Sequence, residues 1–368
     1  MASQLRWELD DEPADARAGQ GALFERAERH VGKGEFRGME FLHVRAKTII
    51  NELKDGPGFL PTPYTINAYR GCSHACTYCF ARPTHAYLGM DTGEDFDRRI
   101  VVKVNAVELL RAELRPHRWA GHAIAMGTNT DPYQRCEGKY RLTRGMLEQL
   151  TEAENPFSIL TKSTLILRDL DLLAEAAKRT DVRVNLSIGT LDDDVWKLTE
   201  PGTPHPRRRI RAVEALNEAG VPCGVLMGPI LPGLSDEPAQ LEAVVKASLD
   251  AGAVSVGSVL LHLRPGVRDH YLSTLAATRP DLVERHLRLY PDGRSYAPAN
   301  ERRRVSGVVQ EAVRRHGGRV MPSSDGHEDV DAPARPVALR PRATRGSGAT
   351  TRSAAEARAK VDQLALGL

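Results

Sequence analysis

The sequence predicts a parallel α/β fold, a barrel or a doubly wound sheet, on three observations. Short apolar runs rich in Val, Ile and Leu alternate with helical patterns between residues 64 and 261. Such runs suit strands buried on both faces of a parallel sheet. Several helical patterns close on glycine, as in Glu218-Ala219-Gly220 and Asp250-Ala251-Gly252, the residue that most readily takes the left-handed cap. The residues with chemistry to offer fall just after strand segments, where βα folds place their sites.

Element by element, residues 1–55 read as an N-terminal helical extension, with helices at 21–31 and 36–53 stopped by Gly56-Pro57-Gly58. The core then runs over 56–290. Its strands are expected at 64–69, 100–105, 122–127, 157–161, 182–188, 223–227 and 254–261, with helices at 143–154, 170–179, 207–219 and 237–251. Residues 291–321 form a C-terminal helical segment. From residue 322 the composition shifts to Ala, Arg, Pro, Ser, Gly and Thr with scarcely any aliphatic stripe, the mark of a disordered tail.

A chain of 368 residues can bury a substantial core, as one large domain or two smaller ones. It shows no apolar leader and no run of eighteen apolar residues, so a cytoplasmic protein with no membrane partner is expected. The net charge of +3 hides an acid-rich start and an arginine-rich end.

The densest chemistry lies in GCSHACTYCFAR, where Cys72, Cys76 and Cys79 make a C-x3-C-x2-C triplet. Three readings compete with a cluster loop. Spacings of four and three could place a cysteine stripe on one helix face, but Gly71, Ser73, Thr77, Tyr78 and Phe80 favour helix poorly. Zinc would need a fourth ligand from elsewhere in the chain. A disulfide would strand one thiol.

The triplet, with an aromatic before its last cysteine, resembles the signature of the radical S-adenosylmethionine (SAM) superfamily. That resemblance implies a partial (β/α)6 barrel and a [4Fe–4S] cluster held by Cys72, Cys76 and Cys79. The open iron is chelated by the amino and carboxylate groups of S-adenosyl-L-methionine, and an electron from the cluster cleaves the sulfonium to a 5′-deoxyadenosyl radical. A reductant such as flavodoxin or ferredoxin is implied as well.

GTNTDPYQ, ILTKS, NLSIGTLDDDVWKLTEPGTPHPRRRI and VPCGVLMGPILPGLSD are together similar to the spore photoproduct lyase-like branch, sometimes called DNA repair photolyase-like. The match implies that Thr130, Lys162 and Ser187 bind S-adenosylmethionine, with Asn129 on the same loop and Glu200 near the adenosine or substrate. Two departures bear on the reaction. Thr128 stands where the lyases carry their hydrogen-donor cysteine, and Tyr78 is accompanied by Phe80 where they have a second tyrosine. Cys136, on the following loop, is either a replacement donor or a packed thiol.

Between Arg335 and Lys360 stand seven basic residues against the single acid Glu356, a segment able to attract a phosphate backbone. Arg207, Arg208, Arg209, Arg302, Arg303 and Arg304 are candidates to extend that patch. The chain ends in Gln363-Leu364-Ala365-Leu366-Gly367-Leu368, which resembles the hexapeptide that docks repair proteins in the β sliding clamp. The expectation is a radical enzyme acting on a DNA lesion or base. The alternatives are a peptide or small-molecule substrate, or a non-catalytic DNA-associated iron–sulfur protein.

Overall fold

The computed structural model describes residues 7–8, 27–53, 60 and 62–320. The expected Gly56-Pro57-Gly58 stop, the tail from residue 322 and its Gln363 to Leu368 peptide lie outside the described residues. In chain order the strands are β1 (Trp7–Glu8), β2 (Glu28–Val31), β3 (Glu40–Ala46), β4 (Asn51–Glu52), β5 (Tyr64–Ile66), β6 (Tyr69–Arg70), β7 (Arg99–Lys103), β8 (Ile124–Met126), β9 (Phe157–Thr161), β10 (Val182–Ser187), β11 (Cys223–Ile230) and β12 (Val256–Leu260).

The main sheet runs β12-β11-β10-β9-β8-β5-β4. From β5 to β12 every neighbouring pair is parallel, and β4 closes one edge antiparallel. Six parallel strands in sequence order are the partial (β/α)6 barrel that the alternating pattern implied. Helices Leu142–Glu152, Leu170–Arg179, Pro206–Glu218 and Pro238–Asp250 cross between strands. Two of them end as expected: Gly220 and Gly252 adopt φ of +79° and +76°. The Val221 and Ala253 amides then reach back to the Leu216 and Ser248 carbonyls at 2.9 and 3.0 Å, so the left-handed glycine satisfies carbonyls the helix end would leave open.

The core lies between the strands and these helices, with Phe157, Ile159, Val182, Val184, Leu186 and Val225 all at most 2% exposed. Each contributes about 1.5–3 kcal/mol by leaving water. Helix Ala299–Arg315 covers the β12 side, burying Val305, Val309, Ala312 and Val313.

Two sequence expectations need correction. Residues 36–53 are not helical. They follow from the end of the short 3-10 turn Gly34–Phe36 into β3 and β4. Leu42, Val44 and Ala46 recur at every second position and all pack in one cluster with Val101, Leu88 and Met90, a strand's periodicity. Residues 28–31, the end of the other expected helix, form β2 antiparallel to β3. The second correction concerns sheet membership. The segment at 100–105 is a strand, β7, but it lies in a separate sheet, parallel to β3 and antiparallel to β6. The barrel's second strand is therefore β8. The expected strand 64–69 divides between the two sheets, with Asn67 and Ala68 as the break.

Candidate active site

The cysteine triplet occupies an irregular loop after β6, not a helix. Gly71 opens it at φ +80°, and a Cβ there would come within 2.9 Å of His85 Cε1 and the Phe96 carbonyl. Only glycine satisfies both demands. Arg82, fully buried, braces the loop from one side. Its Nε and Nη2 donate to the Cys76 carbonyl at 3.1 and 3.0 Å, Nη1 to the Thr92 and Gly93 carbonyls, and Nη2 also to Asp97. Opposite, the Gly202 amide donates to the His74 carbonyl and the Thr77 amide to the Thr199 carbonyl, both at 3.0 Å. The Glu200-Pro201-Gly202 turn is thus docked on the cysteine loop. A Cβ on Gly202 would lie 2.2 Å from the Ser73 carbonyl oxygen.

Cys72 and Cys76 are buried and Cys79 is half-buried. Burial raises all three thiols above their ordinary range, and the sulfurs are near enough to reinforce one another electrostatically. Three soft thiolates offered by one short irregular loop suit an iron–sulfur cluster, and a metal–sulfur bond would offset the cost of their deprotonation.

The β8 loop supports the cysteines from beneath. Thr130 Oγ1 donates to the Gly71 carbonyl at 2.6 Å, and Gln134 Nε2 donates to that carbonyl and to Thr130 at 3.0 and 2.9 Å. The Ser73 amide donates to Gln134 Oε1 at 3.1 Å. Asp131 ties three segments together. It accepts from Thr161 Oγ1 at 2.6 Å and from the Lys162 amide at 2.7 Å, and it lies 3.3 Å from His74 Nδ1. Burial alone would raise its carboxyl, but His74 and these hydrogen bonds hold it below the usual carboxylate range. Asn129 is half-buried, its amide donating to Asn67 Oδ1, and Thr128 accepts from Asn67 Nδ2.

The third group sits at the ends of β9 and β10. Lys162 Nζ donates to Ser187 Oγ at 2.7 Å, Glu200 Oε1 at 3.0 Å and the Gly228 carbonyl at 3.3 Å. Tyr78 donates its phenol to Glu200, and Lys162 stands 5.5 Å above the Tyr78 ring. Arg209, wholly buried, donates Nη2 to Glu200 and Nη1 to the Ser187 carbonyl at 2.8 Å. Burial opposes the charge on Glu200, yet Arg209 and Lys162 hold the carboxyl far below its ordinary value. Tyr78, pushed up by burial and by Glu200, stays protonated.

The fold therefore gathers Tyr78, Lys162, Ser187 and Glu200 into one hydrogen-bonded set beside the cysteine loop, with Thr130 beneath it. Cys136 is elsewhere. It has no exposed surface, and its thiol lies with Tyr69, Glu137 and Tyr140; burial first, then Glu137, pushes the pKa of that thiol well up.

Sequence reasoning missed Arg209, Asp131, His74, Gln134 and Arg82. Arg209 was expected on a basic surface patch, and its burial corrects that. The signal was present: Arg209 precedes Ala212, Val213 and Leu216 by three, four and seven residues, and all three are buried on one helix face.

The sequence pattern described as the radical SAM superfamily matches residues 66–242. An uncharacterized protein of Mycobacterium tuberculosis is 43% identical over 274 residues, 74% of this chain and 80% of the relative. An uncharacterized protein of Methanocaldococcus jannaschii is 33% identical over 198 residues, 54% of this chain and 70% of the relative. Among solved structures, spore photoproduct lyase complexed with dinucleoside spore photoproduct superimposes with a TM-score of 0.56 at 17% identity, covering 75% of this chain and 79% of that one. At that identity the likeness is one of fold. No helix among the described residues is long and apolar enough to cross a membrane.

Proposed function

The chain belongs to the radical SAM superfamily, and from that membership we propose an enzyme that turns radical chemistry on nucleic acid, repairing a DNA lesion or modifying a base. The family's cofactors are a [4Fe–4S] cluster and S-adenosylmethionine. Cys72, Cys76 and Cys79 would hold the cluster, which when bound supplies the electron that cleaves S-adenosylmethionine to a 5′-deoxyadenosyl radical.

The remaining roles belong to this chain's side chains. Lys162 brings a point charge suited to a carboxylate, and the hydroxyls of Ser187 and Thr130 suit amino and ribose groups. Asn129, adjacent to Thr130 on the loop after β8, joins this group in the proposal. Glu200, kept ionised between Arg209 and Lys162, orients the lysine and accepts from Tyr78, so the whole set is preorganised. Tyr78, on the cysteine loop between Cys76 and Cys79, keeps its phenolic hydrogen, which supports a part in hydrogen transfer. The fully packed Cys136 is the weaker donor.

One observation carries the substrate class. Just after β12, at the C-terminal end of the barrel, stands His262, and Tyr296, from the segment before helix Ala299–Arg315, packs edge-on against it at 4.5 Å while 46% exposed. Arg264 and Arg302 lie close enough to influence that histidine. An exposed aromatic packed on a histidine that has arginines nearby offers a face to stack a base and charge to meet its phosphates. Spore photoproduct lyase, which shares the fold and was solved with a dinucleoside photoproduct bound, supports the same class. The terminal Gln363 to Leu368 peptide adds the β sliding clamp as a proposed partner, and a flavodoxin or ferredoxin the proposed reductant.

The test is anaerobic turnover of the reconstituted protein with damaged and undamaged DNA, following 5′-deoxyadenosine and lesion loss. DNA-stimulated cleavage that weakens in Tyr296→Ala supports the proposal. Cleavage indifferent to DNA points to a peptide or small molecule, and no cleavage to a non-catalytic iron–sulfur protein.

A further inference from the structure

The second sheet carries a cluster that the radical chemistry does not use. In the β2–β3 ribbon Glu28 is the direct cross-strand partner of His43, and His30 stands two residues along β2. Strand side chains alternate faces, so all three project from the same side. Their ligand atoms, one from each residue, lie within 4.8 Å of one another. The two imidazole rings are 3.9 Å apart, tilted by 33°. His43 Nε2 is 2.8 Å from the Tyr140 hydroxyl, which anchors that ring.

Two features separate this group from an ordinary surface ion pair. His30 Nε2 is shielded from solvent and lies 2.8 Å from Glu28 Oε1, yet it has no well-aligned hydrogen bond. Beyond its backbone ladder to β3, β2 gains little from apolar burial: its four residues are exposed or half-buried, and Val31 is 71% exposed.

We infer that Glu28, His30 and His43 form a site for a first-row divalent cation of the zinc type, which clamps β2 onto β3. Two imidazoles and a carboxylate suit such ions, whose bonds of about 2.0–2.2 Å would draw the three ligand atoms slightly together, with water completing the shell. The clamp would secure an edge strand that apolar burial does not.

The test uses the full chain with its iron–sulfur cluster loaded. After exposure to zinc and removal of loosely held metal, zinc and iron are counted per chain, and amide exchange is followed at residues 28–31. About one zinc per chain, slowed exchange in β2, and at least a tenfold loss of zinc affinity in Glu28→Gln and His30→Ala are expected. Unchanged iron in those variants shows that the barrel remains folded. Zinc retained equally by the variants, or exchange in β2 unmoved by zinc, would overturn the assignment.

Discussion

Lys162 Nζ and Glu200 Oε1 stand 3.0 Å apart in a buried pocket, and the second carboxylate oxygen of Glu200 is taken by Arg209. One carboxylate thus neutralises two buried cations. Glu200→Gln leaves both without a full counter-charge and is expected to cost about 3–5 kcal/mol, the usual penalty for breaking a buried pair. Lys162→Met leaves Glu200 still paired with Arg209 and should cost less, while weakening S-adenosylmethionine binding at least as much. Denaturant midpoints and cofactor titrations on both variants check this. Equal losses of stability would mean that Arg209 does not share the charge.

The contact between Gly202 and the cysteine loop makes a second prediction. A methyl at position 202 meets the Ser73 carbonyl at 2.2 Å, and backbone cannot yield as a flexible side chain would. Gly202→Ala should displace the loop that carries Cys72, Cys76 and Cys79. The expected result is iron content reduced severalfold after reconstitution and a destabilisation of about 1–3 kcal/mol. Full iron loading would show that the turn and the loop are not rigidly coupled.

These contacts show how far the sequence could be read. The strands at 157–161 and 182–187 were legible because their apolar β-branched runs are local signals, as were the glycine stops at 220 and 252. The fate of residues 100–105 was not, since which sheet a strand joins depends on partners distant in the chain. Here that partner, β3, has apolar residues on both faces, Phe41 in one core cluster and Leu42 in another, and this blurred its alternation. In the site, residues with recognisable chemistry stood out, whereas Asp131 in Asp131-Pro132 looked like a turn residue. Its role depends on three segments meeting, which spacing does not encode.

His262 gives a pH prediction with a definite sign. Burial first, then Arg264 and Arg302, lower its pKa from 6.5 to about 4. As pH falls through 6.5 the unfolded chain takes up this proton while the folded chain refuses it. The stability that depends on a neutral His262 is therefore present above 6.5, lost progressively toward 4, and fully lost below that. After discounting for partial exposure the loss is about 2 kcal/mol. His262→Phe keeps an aromatic against Tyr296 but cannot titrate, so its denaturant midpoint should fall less over this interval than that of the parent. Parallel curves would show that the histidine is already charged in the folded protein.

The burial of Cys136 bears on the source of the hydrogen atom in the proposed reaction. A donor must approach the reacting carbon, and this thiol is sealed beside Tyr69, Tyr140 and Glu137, whereas Tyr78, though also buried, sits on the cysteine loop itself between Cys76 and Cys79 and bonds to Glu200. Removing one buried sulfur leaves a small cavity worth about 1–2 kcal/mol. Cys136→Ala is therefore expected to melt somewhat earlier yet yield 5′-deoxyadenosine and product in the parent's ratio. Tyr78→Phe, which keeps the ring under Lys162 but loses the hydrogen bond to Glu200, should lower product per deoxyadenosine formed. The reverse pattern, with the ratio collapsing in Cys136→Ala and unchanged in Tyr78→Phe, would require the loop after β8 to open during turnover and bring Cys136 to the substrate.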